Sequence, residues 1–204
     1  MASVQQAHDS NQLSDKEKTA IGEATKEAES FILAKNNHAK AAAAAAAATV
    51  SQGDKVVFVT GVLKNLFSKA MYQWKTYIWD GESEFMDRPP YQMNPSGIYM
   101  FVHMSLPQSH SKGAIIYDAP KGTDPALGWL FAWDKSNEVN KVYVEAGAMS
   151  RIKRIQEREI LEKLVASKNT SRYWDSDTGA SAAAEIKKWD NSMSLLVVTF
   201  DQDK

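Results

Sequence analysis

The sequence predicts a mainly β protein with some α: an antiparallel β-sandwich preceded by an N-terminal helical extension and carrying one late helix. Three observations lead there. Residues 1–50 hold a single aromatic side chain, Phe31, and run into the alanines Ala41 to Ala48, whereas the rest of the chain is dense in Trp and Tyr. From Lys55 onward, short runs rich in Val, Ile, Tyr, Phe and Trp alternate with Gly, Pro, Asn and Asp, the pattern of strands and turns. One charged stretch without Gly or Pro, Arg151 to Ser167, interrupts that pattern at helical length. The chain therefore divides into an extension, 1–50, and a sandwich domain, 51–204, with the boundary near Ser51-Gln52-Gly53.

In the extension, Ser14-Asp15-Lys16-Glu17 reads as a capping box, in which the Ser14 hydroxyl and the Glu17 carboxylate satisfy backbone donors left open at a helix start. Ile21, Ala24, Ala28 and Phe31 follow at helical spacing as one thin apolar stripe. Asn36-Asn37 suits a helix stop, and the alanine run suits a second helix, since alanine is the best intrinsic helix former. A helical hairpin and one long broken helix both fit. So narrow a stripe has little affinity for a membrane. It suits pairing with another copy, a homo-oligomer through residues 14–34.

Seven strands are expected, at Lys55–Thr60, Met71–Trp79, Gly97–Met104, Gly113–Asp118, Gly128–Trp133, Lys141–Ala146 and Ser194–Phe200. Turns fall at Arg88-Pro89-Pro90, Asn94-Pro95-Ser96-Gly97 and Ala119-Pro120-Lys121-Gly122, where proline fixes φ and glycine admits positive φ. In Met71–Trp79, alternation sets Tyr72, Trp74, Thr76 and Ile78 on a core face, with Gln73, Lys75, Tyr77 and Trp79 opposite. Trp129, Phe131 and Trp133 share one face with Leu130 and Ala132 on the other, so that strand is expected to be buried on both sides. In Arg151–Ser167 the apolar positions Ile152, Ile155, Ile160, Leu161, Leu164 and Val165 do not fall on one clean stripe.

Composition removes whole classes of function. Lys and Arg number 24 against 25 Asp and Glu, so no global field recruits nucleic acid. Arg151 to Arg172 holds seven basic residues against Glu157, Glu159 and Glu162, which reads as a solvated helix face, and nucleic acid is not an expected partner. The chain has no cysteine, which excludes disulfides and thiol chemistry. His103 and His110 match no metal-ligand spacing, and Asp175-Ser176-Asp177-Thr178-Gly179 lacks the later ligands of a calcium loop. No nucleophile elbow, phosphate loop or His-Glu-x-x-His pair is present, so neither enzyme activity nor a cofactor is expected. Met1 to Asn11 is polar and no window nears the length of a membrane span, which points to the cytoplasm, or the nucleus, with no signal peptide and no transmembrane segment.

Read in order, Trp79-Asp80-Gly81, Tyr91, Pro95-Ser96-Gly97-Ile98-Tyr99, Phe101-Val102-His103 and Ser111-Lys112-Gly113-Ala114-Ile115-Ile116-Tyr117 form a series of landmarks. Gly128-Trp129-Leu130-Phe131-Ala132-Trp133 and Val142-Tyr143-Val144-Glu145-Ala146 continue it. The series, over roughly residues 60 to 146, resembles the jasmonate-induced proteins of plants, which implies a role in stress or defence and no particular biochemistry. More loosely, Lys112-Gly113-Ala114-Ile115-Ile116-Tyr117 followed by a Trp-rich strand is similar to actinoporins and fungal lectins, sandwiches that bind lipid headgroups or sugars. That resemblance implies a non-catalytic protein with a glycan or lipid headgroup as ligand. Loops at one end of the sandwich would form its site from Trp79, Tyr91, Tyr99, Ser105 and Tyr117, rings stacking on the ligand and hydroxyls orienting it. The alternative is a structural or interaction protein that self-associates through its N-terminal helix.

Overall fold

A computed structural model of the chain describes residues 12–30, 56–79, 83–105, 109–136, 138–190 and 193–202. The alanine run, Phe31, Asn36-Asn37 and the boundary at Ser51-Gln52-Gly53 lie outside the described residues. Helix α1 covers residues 15–30 and starts as a capping box: the Ser14 backbone N–H donates to Glu17 Oε2 at 2.7 Å, and the Glu17 N–H donates to Ser14 Oγ at 3.3 Å.

Eleven strands follow among the described residues, numbered β1 (Val57–Asn65), β2 (Met71–Ile78), β3 (Ser83–Asp87), β4 (Gln92–Met93), β5 (Ile98–Ser105), β6 (Ser111–Asp118), β7 (Leu127–Lys135), β8 (Asn140–Ala148), β9 (Thr170–Trp174), β10 (Ala180–Lys188) and β11 (Met193–Gln202). They form a six-stranded sheet in the order β3-β5-β1-β11-β10-β9 and a five-stranded sheet in the order β4-β2-β6-β7-β8. Each of the seven expected strands is present. Every pairing is antiparallel except β1 with β11, which run parallel at the centre of the larger sheet.

Between the sheets lies a core built on rings. Phe85, Phe101, Trp133, Phe131, Phe200 and Tyr117 follow one another with successive centroids 5.4 to 6.0 Å apart. These are the separations at which aromatic pairs attract, here through tilted and edge-to-face contacts and one stacked pair, Phe131 on Trp133. The Phe101 ring lies over Gly61, where an added Cβ would fall 1.9 Å from a ring carbon. Only glycine admits that crossing. All nine residues of β7 are buried, as alternating bulky residues on one face and Leu130 and Ala132 on the other foretold.

Helices cover both outer faces. On the six-stranded sheet, Ile21, Ala24 and Ala28 of α1 pack against Val62, Ala183, Leu195 and Val197. Ala24 is fully buried there, so these stripe residues are spent within the chain and are not presented to a second copy. For these three residues the chain's own sheet supplies the apolar partner; residues 31–34 of the expected self-associating segment, 14–34, lie outside the described residues. Three ion pairs hold the helix down, Glu17 with Arg172, Glu23 with Lys64 and Lys16 with Asp201.

On the five-stranded sheet, the expected single helix at Arg151–Ser167 is two, α2 (Met149–Ile152) and α3 (Glu157–Ala166). The break explains the untidy stripe. Met149, Ile152, Ile160 and Leu164 reach Ala114, Ile116, Leu130 and Ala132 from two helix axes rather than one, while Val165 is exposed.

The alternation expected of Met71–Trp79 fails halfway, because β2 bulges between Gln73 and Lys75. An extra residue there moves every later side chain to the other face. Gln73 and Thr76 accordingly share a face and bond side chain to side chain, while Trp74 is exposed and lies near Lys153 Nζ, 5.4 Å from the ring.

Candidate functional site

Where the two sheets meet at their β8 and β9 edges, a groove of about 540 Å³ opens between β8, β9 and the segment from α2 to α3. That is the size of a small-ligand site. β8 supplies Tyr143 and Glu145 to it, two residues apart and therefore on one face of the strand. The segment from α2 to α3 supplies Arg151, Arg154 and Lys163, and β9 supplies Tyr173.

Glu145 organises the groove. It is only 2% exposed, and such a carboxylate must be paired. Oε1 accepts from Arg151 Nη1, and Oε2 accepts from the Tyr143 hydroxyl and from Lys163 Nζ at 3.2 Å. Arg151 also donates to the Ala146 carbonyl and lies 5.1 Å from the centre of the Tyr173 ring, while Lys163 Nζ lies 5.5 Å from that of Tyr143. Each cation is thus fixed by a carboxylate and an aromatic face together. Gly147 is the backbone condition for this arrangement: its φ is +142°, and a Cβ there would fall 2.8 Å from Arg151 Nη2 and 2.5 Å from Asp175 Oδ2.

The charge states follow from the geometry. Burial alone would lower the pKa of Arg151 and of Lys163, but the Glu145 carboxylate, joined at Lys163 by Glu159, outweighs it and holds both above their ordinary values. Burial, reinforced by Glu145, pushes the Tyr143 hydroxyl well up, so it stays a hydrogen-bond donor. Burial also raises Tyr173. At the far wall Arg172 Nε reaches both Glu17 oxygens, at 2.7 and 2.9 Å, so the pair that clips α1 to its sheet also borders the groove.

The five residues expected to bind ligand do not meet. Tyr91, Tyr99 and Tyr117 gather around β4. Tyr91 is 71% exposed and lies edge-on to Tyr72, the Tyr99 hydroxyl accepts the Asn94 N–H at 2.8 Å, and Tyr117 is fully buried with its hydroxyl donating to the Pro90 carbonyl at 2.8 Å. Trp79 and Ser105 lie at the other end of the strands. Trp79 stacks on Tyr77 and donates from Nε1 to Glu157 Oε1 at 2.7 Å, and Ser105 is fully buried. Tyr117 and Ser105 are therefore interior residues, placed there by the core-facing register of β6 and β5, and no single loop cluster collects the set.

His103 is fully buried, with Nδ1 2.8 Å from Ser111 Oγ, and His110 Nδ1 lies 2.6 Å from Asp134 Oδ1. Asp175 to Gly179 forms the turn between β9 and β10, with Thr178 donating to Asp175 Oδ2.

The groove went unseen in the sequence because its cations read as a solvated helix face. Two signals pointed to it: the surplus of basic residues from Arg151 to Arg172, and the Tyr143–Glu145 landmark on the preceding strand.

No protein-family model matches the chain. Over 91 residues it is 32% identical to a jasmonate-induced protein homolog from Atriplex canescens, a stretch that is 42% of this chain and 49% of that protein. The chain thus spans about half the length of that relative. Among solved structures, the lipid binding protein Nakanori superposes with a TM-score of 0.58 at 15% identity, covering 84% of each chain. A lectin of Xerocomus chrysenteron gives 0.49 at 7% identity, over 72% of this chain and 99% of that one. Over that stretch the chain is similar to a jasmonate-induced protein, and its β-sandwich has the fold of the Nakanori structure.

Proposed function

We propose that the protein is a non-catalytic binding protein of plant stress or defence responses, and that a glycan or a lipid headgroup occupies the groove between β8, α3 and β9. One observation carries this reading: two tyrosine rings and the cations Arg151 and Lys163 are held in place around a buried carboxylate that three donors engage. Glu145 is engaged by three donors, and a general base must have an open lone pair aimed at a substrate proton. Tyr143 and Tyr173 offer ring faces of the kind that stack on sugars or sit at a headgroup. The jasmonate-induced relative supports the biological setting, and a solved protein of the same fold is named for lipid binding.

The test is a screen of the intact chain against a glycan panel and against vesicles of defined headgroup. Binding is expected in one class, and Tyr173→Ala is expected to weaken it about tenfold, the loss of one stacking contact. Circular dichroism of the variant serves as the control for folding. If neither class binds the intact chain, the reading fails.

A further inference from the structure

The proposed ligand class is broad, and the hydrogen-bonding inventory of the groove narrows it. By charge alone the walls are balanced: Arg151, Arg154, Lys163 and Arg172 face Glu145 and Glu159, with Glu17 on Arg172 and Asp175 beside Arg151. What is unbalanced is the supply of donors and acceptors. Both Glu145 oxygens are engaged, and Glu159 Oε1 is taken by Lys163 at 3.1 Å, which leaves Glu159 Oε2 as an acceptor. Ser167 Oγ donates to the Leu164 carbonyl, and Ser171 Oγ accepts the Val144 N–H. On the donor side, Arg154 uses Nε on the Ser150 carbonyl and keeps both terminal nitrogens. Lys163 divides its ammonium between two carboxylates and has a proton left, and Arg151 retains N–H groups beyond those given to Glu145 and Ala146.

Resting on the reading that this groove is the ligand site, we infer that it receives an oxyanion, bound by Arg151, Arg154 and Lys163. A neutral polyol brings a proton on every hydroxyl and needs an acceptor for each, and these walls offer few, chiefly Glu159 Oε2 and the Tyr173 hydroxyl, against many open N–H groups. A phosphate or carboxylate brings acceptors alone, and its charge-assisted bonds are the stronger kind. Glu145 lies behind Arg151 and Lys163 as a fixed counter-charge, so these two are gathered without mutual repulsion before the ligand arrives. A phosphate-bearing headgroup and an acidic sugar share this chemistry.

Calorimetric titration of the intact chain with inorganic phosphate tests the inference, alongside neutral monosaccharides at equal concentration. Phosphate is expected to bind, the neutral sugars are not, and Arg154→Gln is expected to weaken phosphate about tenfold, as losing one charge-assisted contact does. Arg154 is exposed and bonds only to the Ser150 carbonyl, so the variant keeps the fold; Lys163→Gln is the second variant and is expected to act in the same direction. Two further probes separate the sources. Phosphatidylcholine vesicles doped with phosphatidic acid report a headgroup, a galacturonate trimer reports an acidic sugar, and binding of either supports the oxyanion. Phosphate binding that neither variant alters overturns it. So does a neutral glycan that binds and is lost with Tyr173→Ala, an outcome that leaves the proposed function standing. Silence from every probe ends both.

Discussion

The two outer faces of the sandwich carry helices in the same relation, amphipathic stripe to sheet, yet one is sealed and the other is open. On the six-stranded sheet the contact is made by Ile21, Ala24 and Ala28, side chains short enough to bring the helix down onto Val62, Ala183 and Leu195, with charges kept to the margins. On the five-stranded sheet Ile160 and Leu164 anchor α3, but Lys163 and Arg151 reach inward to a carboxylate that the strand has buried. The lesson is that a helix on a sheet becomes a fastening or a binding wall according to what stands at the edge of its stripe. Alanine closes the gap; long cations around a fixed anion prop it open.

The largest effect should come from removing that anion. Glu145→Gln leaves Arg151 and Lys163 without the charge they surround, and about 3–5 kcal/mol of stability is expected to go, as when a buried ion pair loses one partner. Urea unfolding would measure it, and a loss below about 1 kcal/mol, the scale of an exposed pair, would mean that the groove is not organised by Glu145. The sealed face should answer to volume instead of charge. Ala24→Leu forces added methyl groups into a fully buried contact and is expected to cost about 1–3 kcal/mol. Protease cutting within α1 should increase while near-ultraviolet circular dichroism of the aromatic core persists; an α1 as resistant as before would show a looser seal than the structure describes.

The smallest effect is one of pH. Burial raises Tyr117 and Tyr143 above the ordinary value of 10.0, and Glu145 keeps Lys163 above 10.5. For all three the folded chain holds a proton that the unfolded chain gives up sooner, so their stabilisation is complete below pH 10 and drains away as pH rises above it. Burial lowers Lys135, which opposes the trend. Thermal melts from pH 8 upward should show the midpoint falling beyond pH 10, and Tyr143→Phe should flatten the fall; a midpoint that climbs there would contradict the burial of these hydroxyls.

Much of the sandwich could be read from the chain. β7 announced itself because Trp129, Phe131 and Trp133 alternate with small or apolar residues, and period two is hard to mistake when both faces are buried. The capping box of α1 was equally plain, since its chemistry is local. β10 was missed: Ala180-Ser181-Ala182-Ala183-Ala184 has poor intrinsic preference for a strand. It is a strand because α1 presses on Ala183 while Ala182 and Ala184 face the core, so tertiary crowding on both sides selects small residues over β-formers. The bulge at Trp74 was invisible for a different reason. A one-residue insertion leaves no mark in composition, and it transferred Trp74 from the expected core to the surface. The groove eluded the sequence because its two halves, Tyr143 with Glu145 and the cations of α2 and α3, come together only through the chain reversal after β8.

The parallel ladder between β1 and β11 carries a consequence for synthesis. Thr60 meets Met193 across 133 positions of chain, so the middle of the larger sheet has a vacancy from the time β1 leaves the ribosome until the last strand follows it. Contacts of such separation form slowly. Until then β1 exposes a bare hydrogen-bonding flank beside Val59, Val62 and Leu63, a template for strands of other nascent chains. That flank is closed only when β11 pairs along it.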